Sequence, residues 1–391
     1  MIVLDGLGAG AAVDAHRFGD AGADTLGHVA ASAPGGLNVP ALERLGLGCV
    51  APLAGVAAPA RPDAVIGRLA ERSAAKDSAV GHWELMGHVT HRPPPVYPEG
   101  FPPQVMERFA AATGRGWLCN APASGTEVIE RHGAEHLRTG ALIVYTSADS
   151  VFQVAAHEAL VPPEELYRHC AAAREILQGP HAVLRVIARP FAGEPGAFVR
   201  TAGRRDLALA PPGPTALDLL LEAGVPTVGV GKIGQLFAGR GLGADHASAG
   251  DADGLRIVAQ ALREMGEGLV LANLLDLDTR YGHRNDPLGF ADGLRRIDEA
   301  LPAVLAALDD GDLLVVTADH GNDPTTPDTD HTREWAPLIA HVAGADHEGA
   351  RWVGEFADVA GTALHRLGIG AAGALAGRPI PLPEALSPSR T

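Results

Sequence analysis

An α/β fold with a largely parallel central sheet flanked by helices is what this sequence predicts, and three observations predict it. Short apolar runs recur along the chain, each stopping on a polar residue or a glycine. Segments with helical periodicity lie between them, and no self-similarity appears at the periods of roughly 20–50 residues that mark repeat proteins. Runs of this kind read as strands buried on both faces, the environment that parallel sheets create.

The first run, Ile2 to Leu4, stops at Asp5, so the chain opens inside a predicted strand and a few native residues are expected to precede Met1. Ala141 to Tyr145 follows before Thr146, then Pro226 to Val230 before Gly231, Gly268 to Leu275 before Asp276, and Leu313 to Val316 before Thr317. Ala216 to Glu222 and Ile257 to Met265 read as short helices. The clearest helix carries Phe290, Leu294, Ile297, Leu301 and Leu305 on one stripe, with Arg295, Arg296, Asp298 and Glu299 off it. Asp286, just before Pro287, is expected to cap its start. Pro302 is expected to kink or split it. Two Pro-rich stretches, RPPPVYPEGFPP at Arg92 to Pro103 and LAPPGP at Leu209 to Pro214, mark boundaries. They predict a discontinuous core, residues 1–93 and 214–391, with a smaller α/β domain inserted at 94–213. The tail from Gly370, with Pro379, Pro381, Pro383 and Pro388, is expected to hug the surface or fray.

At 391 residues, with 46% hydrophobic and 20% charged residues, the chain can bury a core that needs no disulfide or metal staple. The 31 Lys plus Arg against 47 Asp plus Glu leave a formal charge of −16. That field repels nucleic acid and anionic membrane surfaces alike. Cys49, Cys119 and Cys170 lie far apart and form no CxxC, which fits a reducing compartment. No basic leader and no apolar run near 18 residues is present, so the expected location is the cytoplasm.

Chemistry concentrates where predicted strands end. Thr317-Ala318-Asp319-His320-Gly321 follows one strand, and Asp330-His331-Thr332 comes shortly after. Asp276, Asp278 and His283 follow another, and Asp5 ends the first. If those strands are parallel neighbours, their carboxyl ends gather Asp and His side chains in one crevice, where ligands bind in sheets of this class. That is enough to hold two divalent ions, which together stabilise the attacking and leaving oxygens of a phosphoryl displacement. Helix capping accounts for some of the aspartates, but capping alone does not collect histidines. Lys76-Asp77-Ser78-Ala79-Val80-Gly81-His82-Trp83-Glu84 offers a nucleophile. Ser78 either begins a short helix, whose free N–H groups favour an alkoxide or a phosphoserine, or merely caps it. His82, His88 and His91 fit no ligand spacing and are read as polar contacts or surface residues.

At these residues the sequence resembles the phosphopentomutase family of the alkaline phosphatase superfamily, related to cofactor-independent phosphoglycerate mutase. The matching segments span nearly the whole chain: LDGLGAGAAVDAHRFGDAGADTLGH from Leu4, KDSAVGHWELMG from Lys76, YTSADSVFQ from Tyr145, IARPFAGEPG from Ile187, GVGKIGQLF from Gly229, LLDLDTRYGHRND from Leu274 and TADHGNDPTTPDTDHTREWAP from Thr317. TADHG alone marks only the superfamily; TSADSVFQ and GHWE point to this branch. The resemblance implies an alkaline-phosphatase-like core with an inserted cap domain for substrate recognition. It implies two manganese ions, one held by Asp5, Ser78, Asp319 and His320 and the other by Asp278, His283 and His331. Asp276 receives no ligand role from it and is left as a supporting or capping carboxylate. Ser78 takes the nucleophile's place. Ser147 and Asp149 would contact the sugar hydroxyls, Arg189 and Arg204 the distal phosphate, and Lys232 the cleft.

The implied reaction interconverts ribose or deoxyribose 1-phosphate and 5-phosphate. It runs through a phosphoserine and an enzyme-bound 1,5-bisphosphate, with a sugar bisphosphate as primer and cap closure excluding water. Three positions depart from the family pattern. Ser78 replaces the commoner Thr, Gly6 follows Asp5 where Ser is usual, and Arg205-Asp206-Leu207 stands where His-Asp-Tyr is usual. The last departure sets a guanidinium beside the expected phosphate site and removes a phenol, so a mutase for another or modified sugar phosphate stays open as an alternative. A metal-dependent phosphomonoesterase using the same serine is another, and a non-catalytic sugar-phosphate-binding protein a third.

Overall fold

Three buried strands, Ile2–Leu4, Leu269–Leu274 and Leu313–Thr317, lie side by side and parallel, with Ile2–Leu4 in the middle. The computed structural model that gives this pairing describes residues 1–370, 373 and 375–385. By its internal packing the chain forms two compact units, Met1–Arg92 with Pro211–Thr391, and Pro93–Ala210.

The first unit is built on an eight-stranded sheet in the order Ala244–His246, Thr227–Val230, Leu269–Leu274, Ile2–Leu4, Leu313–Thr317, Ala336–Val342, Val65–Ala70, Arg351–Glu355. Only Ala336–Val342 runs antiparallel to its neighbours. The central parallel strands, Ile2–Leu4, Leu269–Leu274 and Leu313–Thr317, are almost wholly buried, as strands covered on both faces are. The helices of this unit include the predicted amphipathic one, Pro287–Leu305, capped by Asp286, whose carboxylate accepts from the Gly289 N–H at 2.8 Å. It buries Phe290, Leu294, Ile297, Leu301 and Val304, so its stripe ends on Val304 rather than Leu305. Pro302 does not split it. The proline sits in the last turn, where the helix has little left to lose, and the Pro302 carbonyl still accepts from the Ala306 N–H at 3.0 Å. Beyond the last helix, Asp358–Arg366, the described part of the tail around Arg378 and Ile380 hugs the surface of its unit. Arg378 and Ile380 donate to Asp358 and Thr362, and Ile380 is buried. Pro388 lies outside the described residues.

The second unit holds a six-stranded sheet, Trp117–Pro122, Leu142–Thr146, Val151–His157, Arg185–Ala192 and Val199–Arg200 in that order, with Arg205–Ala208 also paired to Arg185–Ala192. One face packs Leu142, Val144, Phe152, Val154, Val186 and Ala188 against the helices Pro103–Thr113 and Pro163–Ile176. The opposite face carries Ile143, Tyr145, Ala155 and Phe191 beneath the helix Gly125–Thr139. Among the described residues no helix is long and apolar enough to cross a membrane.

Candidate active site

Each cluster residue of the first unit sits where a strand stops. Asp5 follows Leu4 and its N–H donates to Leu274 O at 3.0 Å. The next residue, Gly6, has φ +78°, and its N–H turns to Asp319 Oδ1 at 3.2 Å. A glycine meets that backbone conformation without strain, which accounts for its presence after Asp5. Asp278 lies in a single turn of π-helix, Leu277–Tyr281, after the strand Leu269–Leu274. The chain then tightens into a 3-10 turn, Gly282–Arg284, which carries His283, and His283 Nε2 approaches Asp278 Oδ2 at 3.2 Å. Asp319 and His320 follow the strand Leu313–Thr317. The loop after them closes through Gly321 and Thr332, which exchange backbone hydrogen bonds of 3.0 and 2.7 Å and return His331 to the same crevice. Asp276 holds no place there. It exchanges hydrogen bonds with Asp251 at the start of the helix Asp251–Glu264, the capping role left open from sequence.

Ser78 is the first residue of the helix Ser78–Leu85, and Asp77, not Ser78, is the cap, accepting from the Ala79 N–H at 2.8 Å. Ser78 Oγ is thereby free to point at His320 Nε2, 3.0 Å away. The rest of the GHWE segment anchors this helix. Gly81 lets it press on the Asp319 backbone. Trp83 Nε1 donates to Leu236 O, and the buried Glu84 carboxylate accepts from the Arg72 and Ser73 N–H groups.

The donor atoms converge. Those of Asp278, His283 and His331 lie within 4.8 Å of one another, as do those of Asp5, Asp278 and His320, so Asp278 belongs to both groups. Asp319 Oδ2 and Asp5 Oδ1 are each 3.3 Å from His320 Nε2. Both oxygens are buried and have no hydrogen-bond donor among the described residues. The three histidines are oriented alike. Nδ1 of His283, His320 and His331 faces the carbonyl of Thr329, Gly321 and Lys76, at 2.6, 3.1 and 2.7 Å. A carbonyl accepts only from N–H, so each ring carries its proton on Nδ1 and turns the Nε2 lone pair into the crevice. Orphaned carboxylate oxygens facing imidazole lone pairs suit divalent cations with mixed O and N ligation.

The electrostatics agree. Burial, then the neighbouring Asp319 and Asp278 carboxylates, push Asp5 well above the ordinary range, with Lys232 opposing. Burial acts the same way on Asp278, but in the metal-free protein protonation of His283, His331 and His320 holds it below that range. Asp319 is likewise held low against its burial, by His320 and His82, while burial pushes His320 down. Carboxylates crowded this closely need positive charge to stay ionised together.

Three further residues were not legible as parts of this cluster. Asn273, in the strand beside Asp5, donates to Asp5 Oδ2 at 2.8 Å, and Asn322 donates to Asp278 Oδ1 at 2.7 Å. His82, read only as a polar contact or surface residue, is wholly buried, with Nδ1 2.8 Å from Ser78 O and 3.2 Å from Asp319 Oδ2. A polar Asn inside an otherwise apolar strand was the available signal for Asn273.

In the second unit, Ser147, Asp149, Arg189 and Arg204 line one depression together with Gln153, Arg185 and Gly125. Arg189 Nε donates to Gln153 Oε1 at 2.9 Å, and Arg204 forms a two-pronged pair with Asp206 at 2.8 and 2.7 Å. Burial lowers Arg189, whereas the Asp206 hydrogen bond raises Arg204. The expectation that Arg205 and Leu207 border this site is corrected by strand register. Arg205 pairs with Ala188 and Leu207 with Val186, so both point to the helix-covered face, while Asp206 pairs with Ile187 on the face of the depression. Arg205 lies over the Tyr167 ring at 5.2 Å, and Leu207 packs against the Val186 cluster.

Residues 195–371 match the family model described as the Metalloenzyme superfamily. The chain is 50% identical over 373 residues to the phosphopentomutase of Caldanaerobacter subterraneus subsp. tengcongensis, covering 95% of this chain and 94% of that one. It is 50% identical over 370 residues to that of Anaeromyxobacter dehalogenans, covering 94% of each, and 51% identical over 375 residues to that of Deinococcus radiodurans, covering 94% and 95%.

Proposed function

The chain belongs to the phosphopentomutase family, metal-dependent isomerases with an alkaline-phosphatase-like core, and from that premise we propose that Ser78 carries the phosphoryl group between the two ends of a pentose phosphate. The observation that carries this reading is the position of Ser78 Oγ, 3.0 Å from His320 Nε2 at the first turn of a helix and beside the orphaned oxygens of Asp5 and Asp319. The free N–H groups of that turn favour negative charge on the serine oxygen or on a phosphoryl group bound to it.

Asp5, Ser78, Asp319 and His320 would hold one divalent ion and Asp278, His283 and His331 a second, manganese in our reading, and ions bound there would supply positive charge to the oxygens of the transferred phosphoryl group. The protein's part is placement. Arg189 and Arg204 fork onto the phosphate that is not being transferred, Ser147 and Asp149 bind sugar hydroxyls, and Lys232 adds positive charge near Asp5. Phosphorylated Ser78 gives its phosphoryl group to the free hydroxyl of ribose or deoxyribose monophosphate, forming a 1,5-bisphosphate. The opposite phosphate of that intermediate then returns to Ser78. A sugar bisphosphate primes any enzyme that has lost its phosphate. With Arg205 and Leu207 turned from the depression, the departure that suggested a different sugar no longer bears on it.

The test follows ribose 5-phosphate and free phosphate together, from ribose 1-phosphate in the presence of manganese, with and without a bisphosphate primer. Primer-dependent isomerisation with little free phosphate is expected. Ser78→Ala should abolish it while the ion of Asp278, His283 and His331 stays bound. Free phosphate matching substrate loss would assign the serine to a phosphomonoesterase instead, and wild-type turnover in Ser78→Ala would remove it from the reaction.

A further inference from the structure

His82 lies in the helix of Ser78, one turn on, and is wholly buried. A histidine at such a position normally satisfies itself with one backbone carbonyl, but this ring has more neighbours. Its Nδ1 carries the proton and donates it to Ser78 O at 2.8 Å, and the same atom stands 3.2 Å from Asp319 Oδ2, an electrostatic contact rather than a second hydrogen bond. Its Nε2 stands 3.3 Å from Asn273 Nδ2, a donor, and accepts. The same Asn273 amide donates to Asp5 Oδ2 at 2.8 Å. A buried hydrogen-bonded chain therefore runs from the Ser78 carbonyl through His82 and Asn273 to Asp5, and Asp319 Oδ2 lies in close contact with the His82 ring. That same Asp319 Oδ2 and the other oxygen of Asp5, Oδ1, each lie 3.3 Å from His320 Nε2.

We propose that His82 is a positioning residue that fixes the Asp319 and Asp5 carboxylates relative to each other and to the helix of Ser78. The inference rests on the reading that Asp5, Asp319 and His320 hold an ion, and it adds what keeps that group in register with the nucleophile. Outer hydrogen bonds of this kind orient ligands, and losing one typically weakens a metal site about 10- to 100-fold. The chain has no arm to the other ligand group, because Asp278 takes its amide donor from Asn322 instead. The effect is thus expected to fall first on the ion nearest Asp5 and Asp319, although Asp278 borders both groups.

Manganese binding to metal-free protein, read by the electron paramagnetic resonance of free Mn²⁺, separates the two groups in two backgrounds: His331→Ala isolates the inner group and Asp319→Asn the outer one. His82→Leu is expected to weaken the inner dissociation constant about 10- to 100-fold and to leave the outer one within about threefold. His82→Asn, whose amide can still donate where Nδ1 does, should recover part of the loss. Asn273→Ala cuts only the Asp5 arm and should weaken the inner ion more than the outer. It carries the test if His82→Leu does not fold. An inner constant within twofold of wild type in His82→Leu, or in Asn273→Ala where the leucine variant does not fold, would overturn the proposal. So would equal weakening of both ions together with a lower melting temperature of the metal-free protein, the mark of a merely structural histidine. Failure of the underlying reading looks different: Asp319→Asn would then still bind two ions.

Discussion

Gly81→Ala is the most telling perturbation, because one methyl group would separate the fold from its chemistry. A Cβ at residue 81 would lie 2.2 Å from the Asp319 backbone oxygen and 3.1 Å from its Cβ. Ordinary carbon contacts sit near 3.5 Å, so roughly 1 Å must be absorbed between the helix Ser78–Leu85 and the strand end that carries Asp319. Backbone stands on both sides, and no flexible side chain can yield. If the helix retreats by that amount, the 3.0 Å approach of Ser78 Oγ to His320 passes out of hydrogen-bonding range and the 3.2 Å contact of His82 with Asp319 lengthens with it. A displacement of this size at the reacting groups costs on the order of 100-fold in turnover. Stability should suffer less. Overpacking costs about 1–3 kcal/mol, and replacing glycine by alanine inside a helix returns about 1 kcal/mol. Isomerase kinetics and thermal unfolding on the same protein, with Gly22→Ala as a control where nothing lies within 4 Å, separate the two effects. A kcat within threefold of wild type would refute the claim that this contact sets the position of Ser78.

Arg189→Ala and Arg204→Ala should each raise the KM for pentose phosphate about tenfold or more and change kcat less, as loss of uniform binding does; unchanged KM in both would remove them from the phosphate site. Arg205→Ala, on the other face of the sheet, should leave KM and the ribose-to-deoxyribose preference within twofold, and a change in preference would show the register argument to be wrong. Asp251 offers a pH test, since burial, followed by the adjacent Asp276 charge, pushes it up to about 7. Its folded value exceeds its unfolded one, so its contribution to stability is full below the ordinary carboxylate range and is lost as pH rises through about 7. Asp251→Asn keeps the oxygen that accepts from Asp276 and removes the titration. Denaturant unfolding should show the variant gaining on wild type from pH 5 to pH 8, by at most roughly 3 kcal/mol, and a difference that does not vary with pH would reject the assignment.

What could be read from the sequence was whatever obeys a one-dimensional rule. Asp5 and Asp319 stand out because a polar residue that ends an apolar run marks the carboxyl end of a strand, and the parallel pairing of Ile2–Leu4 with both neighbours brings those ends together. Asp286 before Pro287 announces a helix start in the same way. His82 resisted because burial, not spacing, gives it its partners, and an isolated histidine in an apolar helix looks like any other. Arg205 misled for a geometric reason: it adjoins Arg204 and Asp206 along the chain, but side chains on a strand alternate faces, so adjacent residues part company. Pro302 does not split the helix: Pro287–Leu305 runs on through it for its last residues.

The two ligand groups meet solvent unequally. His283 keeps 37% of its side-chain exposure and His331 13%, whereas His320 keeps none and Asp5 3%. The His331 ring also stacks on that of His320 with 3.7 Å between centroids, lying over the inner ligands like a lid on a jar. On the proposed two-ion reading, exchange should be sequential: the outer ligands would fill last and empty first, and a chelator pulse should strip metal in a fast phase and a slow one. A passing change in the surrounding cations would then register first at the outer position, while the inner one lags behind it.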